Sequence, residues 1–251
     1  MDKLDAAAIA VPGVEPRVLE RCTSTNDLLL KETVGERPVL VAAEEQTAGR
    51  GRRGRRWHSA PGAGITFSLG RRVRRPVREL AALALVAGVA AARALHALGI
   101  GAVRLKWPND LVVGDAKLGG ILIETRNGEH AVIGIGLNHR RTPGLEARVR
   151  RRLAFIEELA PVSRNQVIRA VVAALLEALE RFDARGLEAL RADWEAMDAH
   201  AGQRLRVRLA DGRTLSGIAA GLADDGSLKI HTRRGMRAVT SGRVVSARTA
   251  S

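Results

Sequence analysis

The stretch Gly49-Arg50-Gly51-Arg52-Arg53-Gly54-Arg55-Arg56-Trp57 interleaves three glycines with five arginines and closes on a tryptophan. Glycine lets the backbone approach a ligand closely. Arginine offers a planar, permanently charged fork that matches carboxylate and phosphate oxygens. Such a loop can wrap an anion and keep water from it, and it should order on binding. Taken alone, a Gly/Arg run more often marks a nucleic-acid or localisation patch than a catalytic loop. Other polar residues sit in strand or turn settings: Ser24, Thr25, Gln46, Asn109, Asp110, Lys117 and Asn138. Together with Arg50 and Arg52 they form a set of cations and amides with one carboxylate. No Ser/His/Asp set is evident, and none of the six histidines has metal-ligand spacing to another His or Cys, so metal ligands stay unknown. A set of this kind suits the condensation of a carboxylate with ATP. There two anions must meet, charge at the α-phosphate must be offset, and the activated acyl group must be shielded.

These residues need elements to position them. Ser24-Thr25-Asn26-Asp27 before three leucines is a helix N-cap signal that can also face a polar ligand. Val39–Ala43 reads as a buried strand and Ile65–Leu69 as its return, which sets the Arg/Gly loop between core strands. Pro76 opens a long helix with Leu80, Leu83, Ala84, Ala87, Ala91, Ala94, Leu95 and Leu98 inward, stopped at Gly99. Leu111–Val113, Gly114-Asp115 and Leu118–Glu124 read as a hairpin. Asn127-Gly128 is a second hairpin turn, before a strand at 132–138 whose glycines leave room against the backbone. Ser163-Arg164-Asn165-Gln166 is a capping box that starts a helix with Val167, Ile168, Val171, Val172, Leu175, Leu176, Leu179 and Phe182 inward. Leu187, Leu190, Trp194 and Met197 mark another helix. Residues 1–21 are weakly patterned, and the Arg140–Arg152 loop is expected to be basic and exposed. From about Gln203 short strands alternate with Asp211-Gly212, Asp225-Gly226 and Arg234-Gly235 turns. This predicts a small β-barrel that must dock on the main domain. The fold class is α+β, with a mixed, mostly antiparallel sheet; the domains are 1–200 and 201–251.

Composition bounds the partners. The 251 residues are 46% hydrophobic and carry a formal charge of +14, which fits a globule with an anionic partner. Of 41 Lys plus Arg only five are Lys (3, 31, 106, 117 and 229), so 36 are Arg. Aromatics are 2% with no Tyr, which leaves little for a base-stacking platform. Cys22 is the one cysteine, so no intramolecular disulfide or cysteine-based metal site can form; a buried, unreactive role and a reducing cytoplasm are expected. Met1-Asp2-Lys3-Leu4-Asp5 lacks the basic start of a signal peptide, and the apolar run Leu80–Ala92 is short for a bilayer span.

Five motifs in order resemble those of the biotin protein ligases, the biotin–[acetyl-CoA-carboxylase] ligases. They are Ser24-Thr25-Asn26, Gln46-Thr47-Ala48 running into the loop through Trp57, Lys106-Trp107-Pro108-Asn109-Asp110-Leu111, Lys117-Leu118-Gly119-Gly120-Ile121-Leu122, and Gly134-Ile135-Gly136-Leu137-Asn138. The resemblance spans about residues 20–250. It implies a class II aminoacyl-tRNA-synthetase-like (biotin/lipoate ligase-like) catalytic domain and an SH3-like C-terminal barrel. It also implies a two-step reaction: biotin and MgATP give biotinyl-5′-AMP, and a lysine of a biotin carboxyl carrier protein then takes the acyl group. By similarity Ser24, Thr25, Asn26 and Gln46 hold biotin, with Gly49, Gly120 and Gly134 nearby. Arg50 and Arg52 cover the phosphate and the biotin chain, and Lys117 sits at the carboxylate–phosphate junction. Arg52, Arg53, Lys106, Asn109 and Asn138 serve the nucleotide, and Trp57 anchors the loop end. Asp110 orients the incoming lysine or a magnesium ion, or simply forms the turn. With only about twenty residues ahead of Cys22, the chain resembles the ligase-only type, for which specific DNA binding and membrane association are not expected; a homodimer stays open. A lipoate-type ligase and a nucleic-acid module using the Arg/Gly loop remain the alternatives.

Overall fold

The computed structural model describes residues 3–32, 35–58 and 60–248. Met1, Asp2 and the last three residues, on which parts of the leader and barrel readings fell, lie outside them. A seven-stranded sheet forms the frame: β1 (Glu15–Cys22), β2 (Val39–Gln46), β3 (Gly64–Arg72), β4 (Val103–Lys106), β5 (Asp110–Val113), β6 (Ala116–Arg126) and β7 (His130–Asn138). Its order is β1-β2-β3-β7-β6-β5-β4, and every pair is antiparallel except β1–β2. The mixed sheet expected from sequence is thus present, with the Arg/Gly loop joining the adjacent strands β2 and β3. The Asn127-Gly128 turn is also as expected, both residues having positive φ.

Residues 1–21 were under-read. Residues 15–22 form β1, and Leu4, Ile9 and Val14 ahead of it are buried. Glu44 on β2 pins this segment: it accepts from the Leu4 amide at 2.6 Å and pairs with the buried Arg164 at 2.6 Å.

Strand alternation divides the work between the two faces of the sheet. Leu40, Ala42, Ile65, Phe67, Leu69, Ile133, Ile135 and Leu137 join the main core on one face. Here α2 (Leu83–Ala97) packs on the sheet and is covered by α4 (Arg164–Arg185) and α5 (Glu188–Ala196). The helix expected from Pro76 comes in two pieces, a 3₁₀ stretch Val77–Ala82 and then α2. Its burial is broader than the expected stripe: Leu85, Val86, Val89, Ala90 and Ala92 are inside, whereas Ala84 and Leu98 are only partly covered. The run Val77–Ala97 is long and apolar enough to cross a membrane, but it lies in this core, sandwiched between sheet and helices. The Ser163 capping box is formed, with Gln166 closing it. The opposite face carries α1 (Thr25–Lys31), whose Leu29 packs on Val39, Val41 and Val132. The rest of that face is left for polar groups.

The C-terminal strands β8 (Arg204–Leu209), β9 (Thr214–Leu222), β10 (Leu228–Thr232), β11 (Gly235–Val239) and β12 (Gly242–Arg248) form an antiparallel sheet of order β11-β10-β9-β8-β12. Gly212, Gly226 and Gly235 take positive φ in the three anticipated turns. The sheet docks as its small size requires, since its buried residues are continuous with the main core. The Trp107 indole donates to the Gly226 carbonyl at 3.1 Å, and the Leu222 amide donates to Glu195 at 3.1 Å.

The joint between the two parts carries opposed titrations. Leu105 of β4 donates to the Met197 carbonyl and accepts from the Ala199 amide, each at 2.8 Å. Asp198 accepts from the His200 amide at 2.9 Å. Burial pushes the Asp198 carboxyl up to about 6, while burial and the Lys106 charge push His200 down to about 4. In the unfolded chain the carboxyl would release its proton near 3.9. The fold holds that proton longer, so the Asp198 contribution falls as pH rises from about 4 to about 6. The unfolded histidine protonates near 6.5. The fold keeps it neutral, so the His200 contribution rises with pH over much the same window. Relative to the parent protein, Asp198→Asn should therefore gain stability, and His200→Gln should lose it, as pH rises from 4 to 6. Urea midpoints measured across that range check both signs.

Candidate functional site

The polar face of the sheet floors a cavity of about 390 Å³. Pairing aligns Ala43, Thr66, Gly136, Gly120 and Asp110 in one row across five strands, and Val41, Ser68, Gly134 and Leu122 in the next. The register of β5 against β6 shifts between Leu111 and Val112, leaving Leu118 as an extra residue between Lys117 and Gly119. Strict alternation would put Lys117 and Gly120 on opposite faces. The bulge returns Lys117 to the Asp110 face, which is how such irregularities re-aim a side chain.

One end of the cavity is a hydroxyl and amide network. Ser24 caps α1, accepting weakly from the Asp27 amide at 3.4 Å. The Thr25 amide and hydroxyl both donate to Gln46 Oε1, at 2.8 and 3.1 Å, and Thr25 Oγ1 lies 2.6 Å from Ser68 Oγ. Ser68 donates to Asn26 Oδ1 at 2.6 Å, and Asn26 Nδ2 donates to Glu124 at 2.8 Å. Gln46 Nε2 makes no hydrogen bond to any described residue. Arg50 pairs with Asp27 and with Glu124, so its charge stands at this end in the structure.

The other end is cationic. Asp110 uses both oxygens, Oδ1 to Lys117 Nζ at 2.6 Å and Oδ2 to Arg151 Nη1 at 2.9 Å. Burial alone would raise its carboxyl, but Lys117 and Arg151 hold it below the usual carboxylate range. Asn138 donates to the Lys117 carbonyl at 2.9 Å, and Asn109 donates to the Ile121 carbonyl at 2.7 Å while receiving Arg52 at 3.4 Å. Lys106 and Arg243 also line the cavity. Burial, with the Arg151 charge next, lowers Lys106; burial and then the Arg53 charge lower Arg52.

The Arg/Gly loop roofs the space. Trp57 donates its amide to the Gly49 carbonyl at 2.9 Å, and the Gly51 amide donates to Arg55 at 2.7 Å. Arg53, at φ 59°, reaches Ser241 of the C-terminal sheet at 3.1 Å. The Trp57 ring lies on Gly136, with Lys117 Nζ 5.7 Å from its centroid. Its Nε1 is buried with no hydrogen-bond partner among the described residues.

The structure therefore brings Ser24, Thr25, Asn26, Gln46, Arg50, Arg52, Arg53, Trp57, Lys106, Asn109, Asp110, Lys117, Gly120, Gly134 and Asn138 around one cavity. The room left by the glycines is already taken by protein. A Cβ on Gly134 would stand 2.2 Å from Asn26 Oδ1, one on Gly120 would stand 2.9 Å from Lys117 Nζ, and one on Gly49 would stand 2.9 Å from the Trp57 carbonyl oxygen. Gly49 thus serves loop closure. The sequence reading missed Ser68, Asp27, Glu124 and Arg151. The segment 140–152 is largely exposed, as expected, but it also contains α3 (Leu145–Val149) and delivers Arg151 to the site, because the Lys117 amide and carbonyl pair with Arg152 and Ala154. Cys22 is only half-buried, and burial, then the Asp27 charge, raises its thiol. Among the described residues no group of three or more His, Cys, Asp or Glu is placed to hold a metal ion.

Residues 18–138 match the model of the biotin/lipoate A/B protein ligase family, and residues 200–245 match that of the biotin protein ligase C-terminal domain. The biotin–[acetyl-CoA-carboxylase] ligase of Mycobacterium tuberculosis is 35% identical over 92% of this chain and 88% of its own length. The bifunctional ligase/repressor BirA of Escherichia coli is 34% identical over 91% of this chain and 70% of its own length. The Aquifex aeolicus biotin protein ligase in complex with biotin and ATP superposes with a TM-score of 0.80 at 27% identity, covering 96% of this chain and 100% of that one.

The seat of the loop can be tested through Gly136. An alanine Cβ there would stand 2.5 Å from Trp57 Cε2, so the ring would have to move. Gly136→Ala should therefore speed trypsin cleavage between Arg50 and Arg56 several-fold. An unchanged cleavage rate would show that the loop end is held elsewhere.

Proposed function

This chain belongs to the biotin protein ligase family, and we propose that its cavity first joins biotin to ATP and then passes the biotinyl group to a lysine of a biotin carboxyl carrier domain. The observation that carries the reading is the polarity of the cavity, with a network of hydroxyls and amides at one end and Lys117, Asp110 and Arg151 at the other. Biotin is polar at both ends in the same sense: a ureido group at one and a carboxylate at the other. Gln46 Nε2 is free to donate to the ureido oxygen, while the Thr25 hydroxyl, backed by the buried Ser68, supplies an acceptor for its N–H groups. Ser24 and Asn26 hold α1 and the Ser68 hydroxyl in place for this.

In the first step a biotin carboxylate oxygen bonds to the α-phosphorus and pyrophosphate leaves. Lys117 offsets the charge that develops there, as a positioned cation in a site of low dielectric does. Asp110 aims Lys117, and Asn138 fixes the strand that bears it. Arg52, Lys106 and Asn109 face the nucleotide, and Arg53 and Trp57 hold the loop over it. Arg50, now on Asp27 and Glu124, covers the biotin chain. The closed loop keeps water from the mixed anhydride. In the second step the carrier lysine attacks the acyl carbon and AMP leaves. Magnesium arrives as the ion of ATP. Asp110 is already shared by two cations, so the ion would be held by the phosphates and water. The net charge of +14 suits an acidic carrier domain and needs no DNA site. A cytoplasmic location accords with the single free cysteine.

Two measurements test this. The protein with MgATP should exchange labelled pyrophosphate into ATP only when biotin is added; equal exchange with lipoate or octanoate would turn the assignment to the lipoate side of the family. Lys117→Ala should slow adenylate formation by roughly 10²–10³, by analogy with a lost oxyanion donor, with a much smaller change in biotin affinity. A near-normal single-turnover rate would remove Lys117 from that role.

A further inference from the structure

Of the five arginines in the Arg/Gly loop, Arg50 alone makes ion pairs among the described residues. It pairs with Asp27, in the first turn of α1, and with Glu124 of β6, whose Oε1 lies 2.9 Å from its Nη2. Arg52, Arg53 and Arg56 reach only neutral groups, donating to Asn109, Ser241 and the Thr47 carbonyl. The ion pairs fall at the neck of the loop. There the Trp57 amide donates to the Gly49 carbonyl, the Gly51 amide donates to the Arg55 carbonyl, and Arg50 forms an antiparallel bridge with Arg56. Two arginines thus stand directly across from each other, an arrangement that opposes closure. Asp27 and Glu124 bring two negative charges to answer these two positive ones.

The two carboxylates are themselves well placed. Asp27 follows Thr25 and Asn26, the residues of α1 that belong to the hydroxyl and amide network. Glu124 accepts from Asn26 Nδ2 at 2.8 Å, and Asn26 Oδ1 in turn receives Ser68 at 2.6 Å. The strand that bears Glu124 also bears Lys117. The loop is therefore tied to the helix that lines one end of the cavity and to the strand that serves the other. Gly51 and Gly54 leave the loop with much backbone entropy to lose on closing. The tether offsets part of that cost.

We propose that Asp27 and Glu124 are positioning residues that act through Arg50: they hold the neck of the loop shut and so set how long the acyl-adenylate stays in the cavity, while the rate at which it forms is set at Lys117. This rests on the adenylation reading above. Bond exchange takes place at the cationic end, whereas these carboxylates stand at the other. Escape of the adenylate requires the roof to lift, and the pairs at the neck must part for that to happen.

The test measures formation and escape in one protein. The protein is loaded with labelled biotin and MgATP, freed of excess, and chased with unlabelled biotinyl-5′-AMP, so that loss of label reads escape. Formation is read from a single turnover. A half-exposed ion pair corresponds to about a two- to fivefold effect. Asp27→Asn and Glu124→Gln should each speed escape by about that factor, and should speed trypsin cleavage at Arg52, Arg53 and Arg55 in parallel. The fall in formation rate should be smaller than the gain in escape. Arg50→Gln loses both pairs and should speed escape by about 4- to 25-fold. In that background Asp27→Asn should add nothing, because its partner is already gone. If Asp27→Asn speeds escape as much with Arg50→Gln as without it, Asp27 acts on α1 alone. If Arg50→Gln leaves escape unchanged, the loop is held elsewhere. Either result overturns the proposal. Failure of the parent protein to adenylate biotin would instead overturn the reading on which it rests, and trypsin cleavage of the free protein would still test the tether.

Discussion

The site depends on one carboxylate shared by two cations. Moving charges out of water is costly, and a buried ion pair stands only when its geometry is good and its other lone pairs are met. Asp110 meets that condition by giving one oxygen to Lys117 and the other to Arg151. Much of the surrounding structure can be traced to this arrangement. The extra residue Leu118 turns Lys117 to the correct face, and the missing side chain at Gly120 clears a path for its ammonium. Asn138 holds the Lys117 carbonyl, and the backbone of Lys117 in turn pairs with Arg152 and Ala154, which brings Arg151 within reach. Removing Asp110 would leave two half-buried cations repelling each other.

The sheet supports this by keeping its two faces apart. One face is closed by α2 and α4 and contains little but aliphatic and aromatic side chains. The other buries Ser24, Thr25, Asn26, Thr66, Ser68 and Asn138, all hydrogen-bonded. A buried polar network that is fully paired is rigid, and one that is partly paired is unstable. Gln46 Nε2, which lines the cavity without a hydrogen bond to any described residue, therefore stands out as a place for a ligand atom.

What the sequence made legible follows from how local each signal is. The Asn127-Gly128 turn, the Ser163 capping box and the glycine turns of the C-terminal sheet depend on a few adjacent residues, and all form as expected. The five motifs gather around one cavity because each lies at the end or on the polar face of a strand. β1 was missed because Glu15–Cys22 is half-exposed and gains its place only by parallel pairing with a strand seventeen or more residues away. Ser68 lies between Phe67 and Leu69 and reads as ordinary strand. Its face is fixed by pairing with Val41 and Gly134, which no local pattern encodes. Arg151 stands between Arg150 and Arg152, and nothing in the run distinguishes it. The left-handed turn at Arg150 and the bridge from Leu153 to Lys117 make the choice.

The use of lysine in so arginine-rich a chain adds a last physical constraint. Where a surface charge is needed, either residue serves, and this chain almost always has arginine. Two of its five lysines, Lys106 and Lys117, nevertheless lie in the cavity. An ammonium is compact and can turn its three donors toward whatever approaches, whereas a guanidinium presents a wide, fixed fork. Lys117 Nζ sits 2.6 Å from Asp110 and only 2.9 Å from where a Cβ on Gly120 would be. A planar fork has no room to turn there beneath the Trp57 ring. Arg151 and Arg243 approach from outside the sheet, where a broad fork can span several oxygens of one anion. The cavity thus grades from point charge at its floor to forked charge at its rim.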